Sequence, residues 1–199
     1  MHHATKIKGV PYTEKIVDLS KGEHLSADFA QINPQHVLPL LEHDGLFISQ
    51  SLAIMEYLDD LWPEHPLLPA DPAGKARVRS IALITIADVH PLIVPRVRNY
   101  LEHTCNLDEA ARQQWAQHWF VQGSRAIEAR LSEGSSGKFT HGDTVTLADL
   151  ALLSHVVGAR LFQADLRDTP KLVALAERCL ALEPIARAHP LAQPGAPAT

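Results

Sequence analysis

Cysteine is scarce in this chain. There are two, Cys105 and Cys179, far apart and in no CxxC pair. That excludes a disulfide framework and leaves no basis for dithiol or cysteine-ligated metal chemistry, so both are read as buried free thiols in a reducing compartment. Basic runs are absent, and 18 Lys and Arg against 23 Asp and Glu leave a formal charge of −5. Nucleic acid and anionic membrane are therefore not expected partners. No run of about 18 apolar residues is found, and no secretory leader pattern opens the chain, so the cytoplasm is the expected compartment. No internal repeat is visible. The only low-complexity stretch is QPGAPAT at 193–199, expected to be mobile.

Hydrophobic side chains are plentiful, at 46% of 199 residues. This is enough to bury a sizeable core as one large domain or two small ones.

The most informative stretch is 33–58, NPQHVLPLLEHDGLFISQSLAIMEYL. An apolar run at 37–41, an Asp44-Gly45 turn signal and a second apolar run at 46–48 predict a β-hairpin. Gln50-Ser51 then opens an amphipathic helix whose apolar side is Leu52, Ile54, Met55 and Leu58. Ser51 is the expected N-cap, its hydroxyl accepting a free first-turn amide.

Two features of this stretch suit a ligand. Pro39 enters a strand, where proline is confined to starts, edges and bulges. A cis bond there would turn the backbone groups of Leu38 outward to pair with an extended peptide. The amides at Gln50-Ser51 suit a carboxylate. A peptide-pairing edge beside a carboxylate pocket suits a small peptide such as glutathione. The plain alternative is an ordinary hairpin followed by a capped helix.

At these residues the chain resembles the zeta class of the glutathione transferases, the maleylacetoacetate and maleylpyruvate isomerases. INPQ-x-x-x-P, SQSLAI-x-EYL, LLPADP, D-x-HPL, W-x-x-x-GSRAIEARL, GD-x-x-TLADL and HP-x-x-QP stand in the family's order and spacing. The likeness runs from about Lys6 to about Pro194. It implies a thioredoxin-like α+β domain over 1–62, a proline-rich linker over 63–72 and an all-helical domain over 73–199. The N-terminal domain is expected to lack its first strand and most of its first helix. In the family, that segment carries an arginine-serine-serine run whose serine hydroxyl hydrogen-bonds the glutathione sulfur. No serine precedes Ser20 here, so no catalytic side chain is assigned. A start codon assigned too late is the favoured explanation, ahead of a decayed copy or a repacked chain. The strand expected at 12–19 would lose an interior neighbour, leaving backbone groups unpaired.

The resemblance further implies glutathione as coenzyme, bound through His24, His36, Leu38, Gln50, Ser51 and His90. Exposed loop histidines are the plain reading of His24 and His36, and a satisfied helix-boundary histidine that of His90. Arg96 is the expected anchor for a substrate carboxylate, since arginine can grip one with two bonds. Arg98 reads as a solvated surface residue. The family usually has two asparagines after HPL, where this chain has Ile93-Val94. That departure leans toward apolar electrophiles.

The implied activity is cis–trans isomerisation of maleylacetoacetate or maleylpyruvate in tyrosine, phenylalanine or aromatic-acid breakdown. Rivals are a transferase acting on α-haloacids or other small electrophiles, and a non-catalytic glutathione-binding module. A homodimer is implied by the resemblance alone, and no metal is expected.

In the second half, Pro91 and Pro95 should kink a long helix over 73–103. Asp108 should cap a helix whose buried face is Ala111, Trp115, Trp119, Ile127 and Leu131. Gly123 should permit close helix packing. Thr146 and Asp149 form a capping-box pair, and helices begin near Pro170 and at Glu183-Pro184.

Overall fold

The computed structural model describes residues 2–19 and 21–188; the 193–199 tail and the HP-x-x-QP motif lie outside them. The chain divides into two compact units. One takes Met1–Pro66 with the described residues that follow Glu183, and the other is Leu67–Glu183.

The first unit opens with α1 (His2–Ile7). A 3-10 turn (Glu23–Leu25) leads into α2 (Ala27–Ile32), where the Ser26 hydroxyl caps the helix by accepting the Phe29 amide at 3.2 Å. The hairpin follows as β1 (Leu40–His43) and β2 (Leu46–Ser49), antiparallel with Leu40 opposite Ser49 and His43 opposite Leu46. Asp44 and Gly45 both have positive φ, 53° and 81°, the backbone a tight two-residue hairpin turn requires. The amphipathic helix is α3 (Ser51–Leu61), burying Ile54, Met55 and Leu58.

The strand expected at 12–19 is not formed. Among the described residues the sheet has two strands, and 10–18 runs without a ladder partner, leaving Ile16 58% exposed. Strand-forming side chains do not make a strand when no neighbour offers its backbone.

Lys8 ties this unit together. Its buried ammonium donates to the carbonyls of Trp62, Glu64 and His65 at 2.7, 3.3 and 3.3 Å. It also pairs with Asp59 at 2.7 Å. The cation thus faces the carbonyl end of α3, where the helix dipole is negative.

The second unit is helical. Its first part comprises α4 (Pro72–Leu83), a π-helical segment (Ile84–Val89), α5 (His90–Ile93) and α6 (Pro95–His103). Pro91 does not break the chain, because it sits in the first turn of α5, where its missing N–H costs nothing. The break falls at Val94, pushed to ψ 155° before Pro95. Over Pro72–His103 the mean hydropathy reaches 1.4 in an eighteen-residue window, so by length and composition alone this stretch could cross a membrane, although no unbroken apolar run is present. Here Val78, Ile81, Ala82 and Val89 lie in the protein core.

Asp108 caps α7 (Glu109–Leu131), accepting the Ala111 amide at 2.8 Å. The buried face differs from the expected one: Ala116, Phe120, Gly123, Ile127 and Leu131 are inside, while Trp115 and Trp119 flank it, half-buried. Trp119 packs against the cluster of Val89, Ile93, Ala116, Phe120 and Ala159, and the Trp115 indole donates to the Leu92 carbonyl at 2.8 Å. The two indoles also meet edge to face, with centroids 5.8 Å apart. Helix α8 (Leu147–Leu161) starts at Thr146, whose N–H and hydroxyl both donate to Asp149 Oδ2 at 2.7 Å. Thr140 donates twice to the other carboxylate oxygen. Helix α9 (Pro170–Leu180) follows in this unit, and α10 (Glu183–Ala186) falls from Pro184 onward in the first. Cys179 is buried, with its thiol pushed up to about 12 chiefly by burial. Cys105 is exposed, correcting the expectation that both thiols are inside.

Candidate functional site

Five of the expected ligand residues, His24, His36, Leu38, Gln50 and Ser51, belong to the first unit. His90 and Arg96 belong to the second.

In the first unit the loop before β1 is built on Asn33, which is 2% exposed. Its side chain donates to the Val37 carbonyl at 2.6 Å and accepts the Gln35 N–H at 3.2 Å. The loop delivers the chain to Leu38-Pro39, a cis peptide bond. Leu38 is 37% exposed, and among the described residues neither its N–H nor its carbonyl enters a backbone hydrogen bond. Those groups are open to an extended partner.

The two histidines meet through one bond. His36, at φ 55°, places Nδ1 2.8 Å from the His24 carbonyl oxygen. The His24 ring Nδ1 is shielded from solvent and has no partner among the described residues.

At α3 the residue in the N-cap position is Gln50, at φ 73° and ψ 121°. Ser51 is the first helical residue, correcting the expectation that it caps. The first helical donor is the Ile54 amide, bonded to the Gln50 carbonyl at 3.0 Å, which leaves the amides of Ser51, Leu52 and Ala53 without helical acceptors. The Ser51 hydroxyl has no partner among the described residues. The open amides and Ser51 stand at the positive end of an eleven-residue helix, which suits a carboxylate. The Gln50 side chain donates to Gln35 Oε1 at 3.0 Å.

In the second unit His90 opens α5, its N–H bonded back to the Thr85 carbonyl. The side chain reaches solvent. Partial desolvation, with the Arg96 charge second, holds its imidazole below the ordinary histidine value. Arg96 is exposed in the first turn of α6. Among the described residues it is an arginine without ion pair or hydrogen bond. Arg98, by contrast, pairs with Glu109 at 3.5 Å and covers the Phe162 ring at 5.1 Å. Ile93 is buried in the core of this unit, whereas Val94 is half-buried.

Asn33 and Gln35 were not singled out from the sequence. The available signal was Asn-Pro, a turn-initiating pair in which an asparagine side chain can take a backbone amide two residues on.

The comparisons with known proteins agree with this geometry. Residues 1–60 match the family description "Glutathione S-transferase, N-terminal domain", and 98–187 match "Glutathione S-transferase, C-terminal domain". A maleylpyruvate isomerase from Ralstonia sp is 42% identical over 96% of this chain and 91% of its own length. The chain belongs to the zeta class of the glutathione S-transferase family. Among solved zeta-class relatives, the maleylacetoacetate isomerase of Methylobacterium extorquens AM1, with bound malonate and glutathione, superposes with a TM-score of 0.96. The two are 42% identical over 99% of this chain and 93% of that one. The maleylacetoacetate isomerase of Anaeromyxobacter dehalogenans 2CP-1, with bound dicarboxyethyl glutathione and citrate in its active site, gives 0.86. There the identity is 34% over 99% of this chain and 91% of that one. In a glutathione S-transferase of this class the loop at 33–38 and the start of α3 belong to the thioredoxin-like domain.

Proposed function

We propose that this chain is a glutathione-dependent cis–trans isomerase of maleylacetoacetate or maleylpyruvate, acting in tyrosine, phenylalanine or related aromatic-acid breakdown. The observation that carries the reading is likeness over nearly the whole chain to isomerases so named. The α3 end supports it with its open amides and a Ser51 hydroxyl that has no partner among the described residues.

The residues present fit glutathione. The unpaired N–H and carbonyl of Leu38 match the backbone of a short peptide. The Ser51 hydroxyl and the amides that follow match a terminal carboxylate. Gln50, His36 and His24 complete the set in the first unit. When bound, glutathione supplies a thiolate that adds reversibly across a conjugated cis double bond, so that the resulting single bond can rotate before the thiolate leaves.

The chain's own task is to hold and orient the partners. Arg96 carries a cation with no partner among the described residues, the requirement for gripping a substrate carboxylate. His90, held toward its neutral form, can accept or donate a hydrogen bond without adding charge. No side chain is assigned to ionising the sulfur. A thiol of ordinary pKa, about 8.5, is only a few per cent thiolate at neutral pH. The same reading makes the protein a cytoplasmic homodimer, an expectation carried by family likeness.

The test is a calorimetric titration of glutathione. Ser51→Ala should weaken binding by roughly 1–2 kcal/mol by removing one hydroxyl contact to a charged group. Unchanged affinity would count against this end of α3 as the carboxylate site.

A further inference from the structure

Gln50 stands in the N-cap position of α3, yet its side chain makes no bond to the helix. Its backbone, at φ 73°, adopts a conformation that L residues rarely hold unless surrounding contacts impose it. The side chain instead reaches fifteen residues back in the sequence and donates to Gln35 Oε1 at 3.0 Å. Gln35 is itself fixed, because its N–H bonds Asn33 Oδ1 at 3.2 Å. Asn33 is almost fully buried and clamps the Val37 carbonyl from its other end. A chain of bonds therefore runs from a buried asparagine to the amide of Gln50.

Both glutamines are exposed. A hydrogen bond between exposed amides exchanges with water and adds little to folding stability. What it changes is orientation: one Gln50 N–H is engaged, and its carbonyl oxygen and second N–H remain free.

We infer that Gln35 is a positioning residue for ligand binding, holding the Gln50 side chain ready beside Ser51 and the open α3 amides. The inference rests on the glutathione reading above and deepens it, since nothing in that reading gives Gln35 a role. Ordering a free glutamine side chain at the moment of binding costs affinity, and a bridge formed beforehand removes that cost. Gln35 touches no ligand in this account and acts only through Gln50.

The experiment is a double-mutant cycle on the full chain, read by glutathione affinity and by thermal unfolding of the ligand-free protein. Gln35→Met keeps the length of the side chain and removes the acceptor. It should weaken glutathione binding about three- to tenfold and leave the unfolding temperature in place. In a Gln50→Met background the same change should cost nothing further. An equal loss in both backgrounds would overturn the inference, as would no loss in the wild-type background. The glutathione reading fails separately: if Gln50→Met alone leaves affinity unchanged, Gln50 is not at the site, and the role of Gln35 falls with it.

Discussion

Val89 and Gly123 pack so closely that a Cβ at position 123 would lie 2.4 Å from Val89 Cγ2 and 3.0 Å from His155 Cε1. Val89 is the last residue of the π-helical segment and the neighbour of His90, so the seat on α7 fixes where α5 begins. Gly123→Ala should destabilise the fold by about 1–3 kcal/mol through overpacking. Val89→Ala in the same chain should recover most of it, because it removes the nearer clashing group. Denaturant unfolding of the two single variants and the double variant checks this. Simple additivity would mean that the contact does not set the cost.

A pH dependence follows from the buried histidine. His155 hydrogen-bonds Ser124 at 2.9 Å and is 1% exposed. Burial pushes its pKa down to about 4 from 6.5, the Phe120 carbonyl offsetting only part of the shift. The unfolded chain takes up this proton near pH 6.5, and the folded chain only near pH 4. The stability tied to the neutral ring is complete above pH 6.5 and declines as pH falls toward 4, by about 3 kcal/mol in all. Urea unfolding at pH 7, 5.5 and 4.5 should show a steeper loss for the wild type than for His155→Leu. Equal slopes would contradict the assignment.

How much of this was legible in the sequence depends on how local each signal was. The hairpin followed from Asp44-Gly45 between apolar runs. Caps such as Asp108 and the Thr146–Asp149 pair could be read because they act within one turn. The missing strand at 12–19 was misread because its composition is strand-like, whereas strand formation needs a partner that composition does not report. The α7 face was misphased by the two tryptophans: large aromatics draw the eye inward, but small Gly123 and Ala116 mark where helices truly meet. Ser51 was placed one residue early in the cap, since the unusual backbone of Gln50 has no signature in a glutamine. The Gln35–Gln50 bridge joins residues fifteen apart, a separation that leaves no local pattern in the sequence.

Arg96 separates substrate binding from coenzyme binding. Its side chain has no internal partner among the described residues, so removing it should cost little stability. Arg96→Ala should raise the KM for a diacid substrate about tenfold or more, as expected for a lost charged hydrogen bond. The KM for a neutral electrophile should hardly move. Equal effects on both would remove Arg96 from the anchor role.

The most direct measurement is isomerisation of maleylacetoacetate by this chain, followed by absorbance with and without glutathione from pH 6 to 9. The account predicts trans product only when glutathione is present. A folded chain that binds glutathione yet forms no trans product across that range would contradict the isomerase assignment.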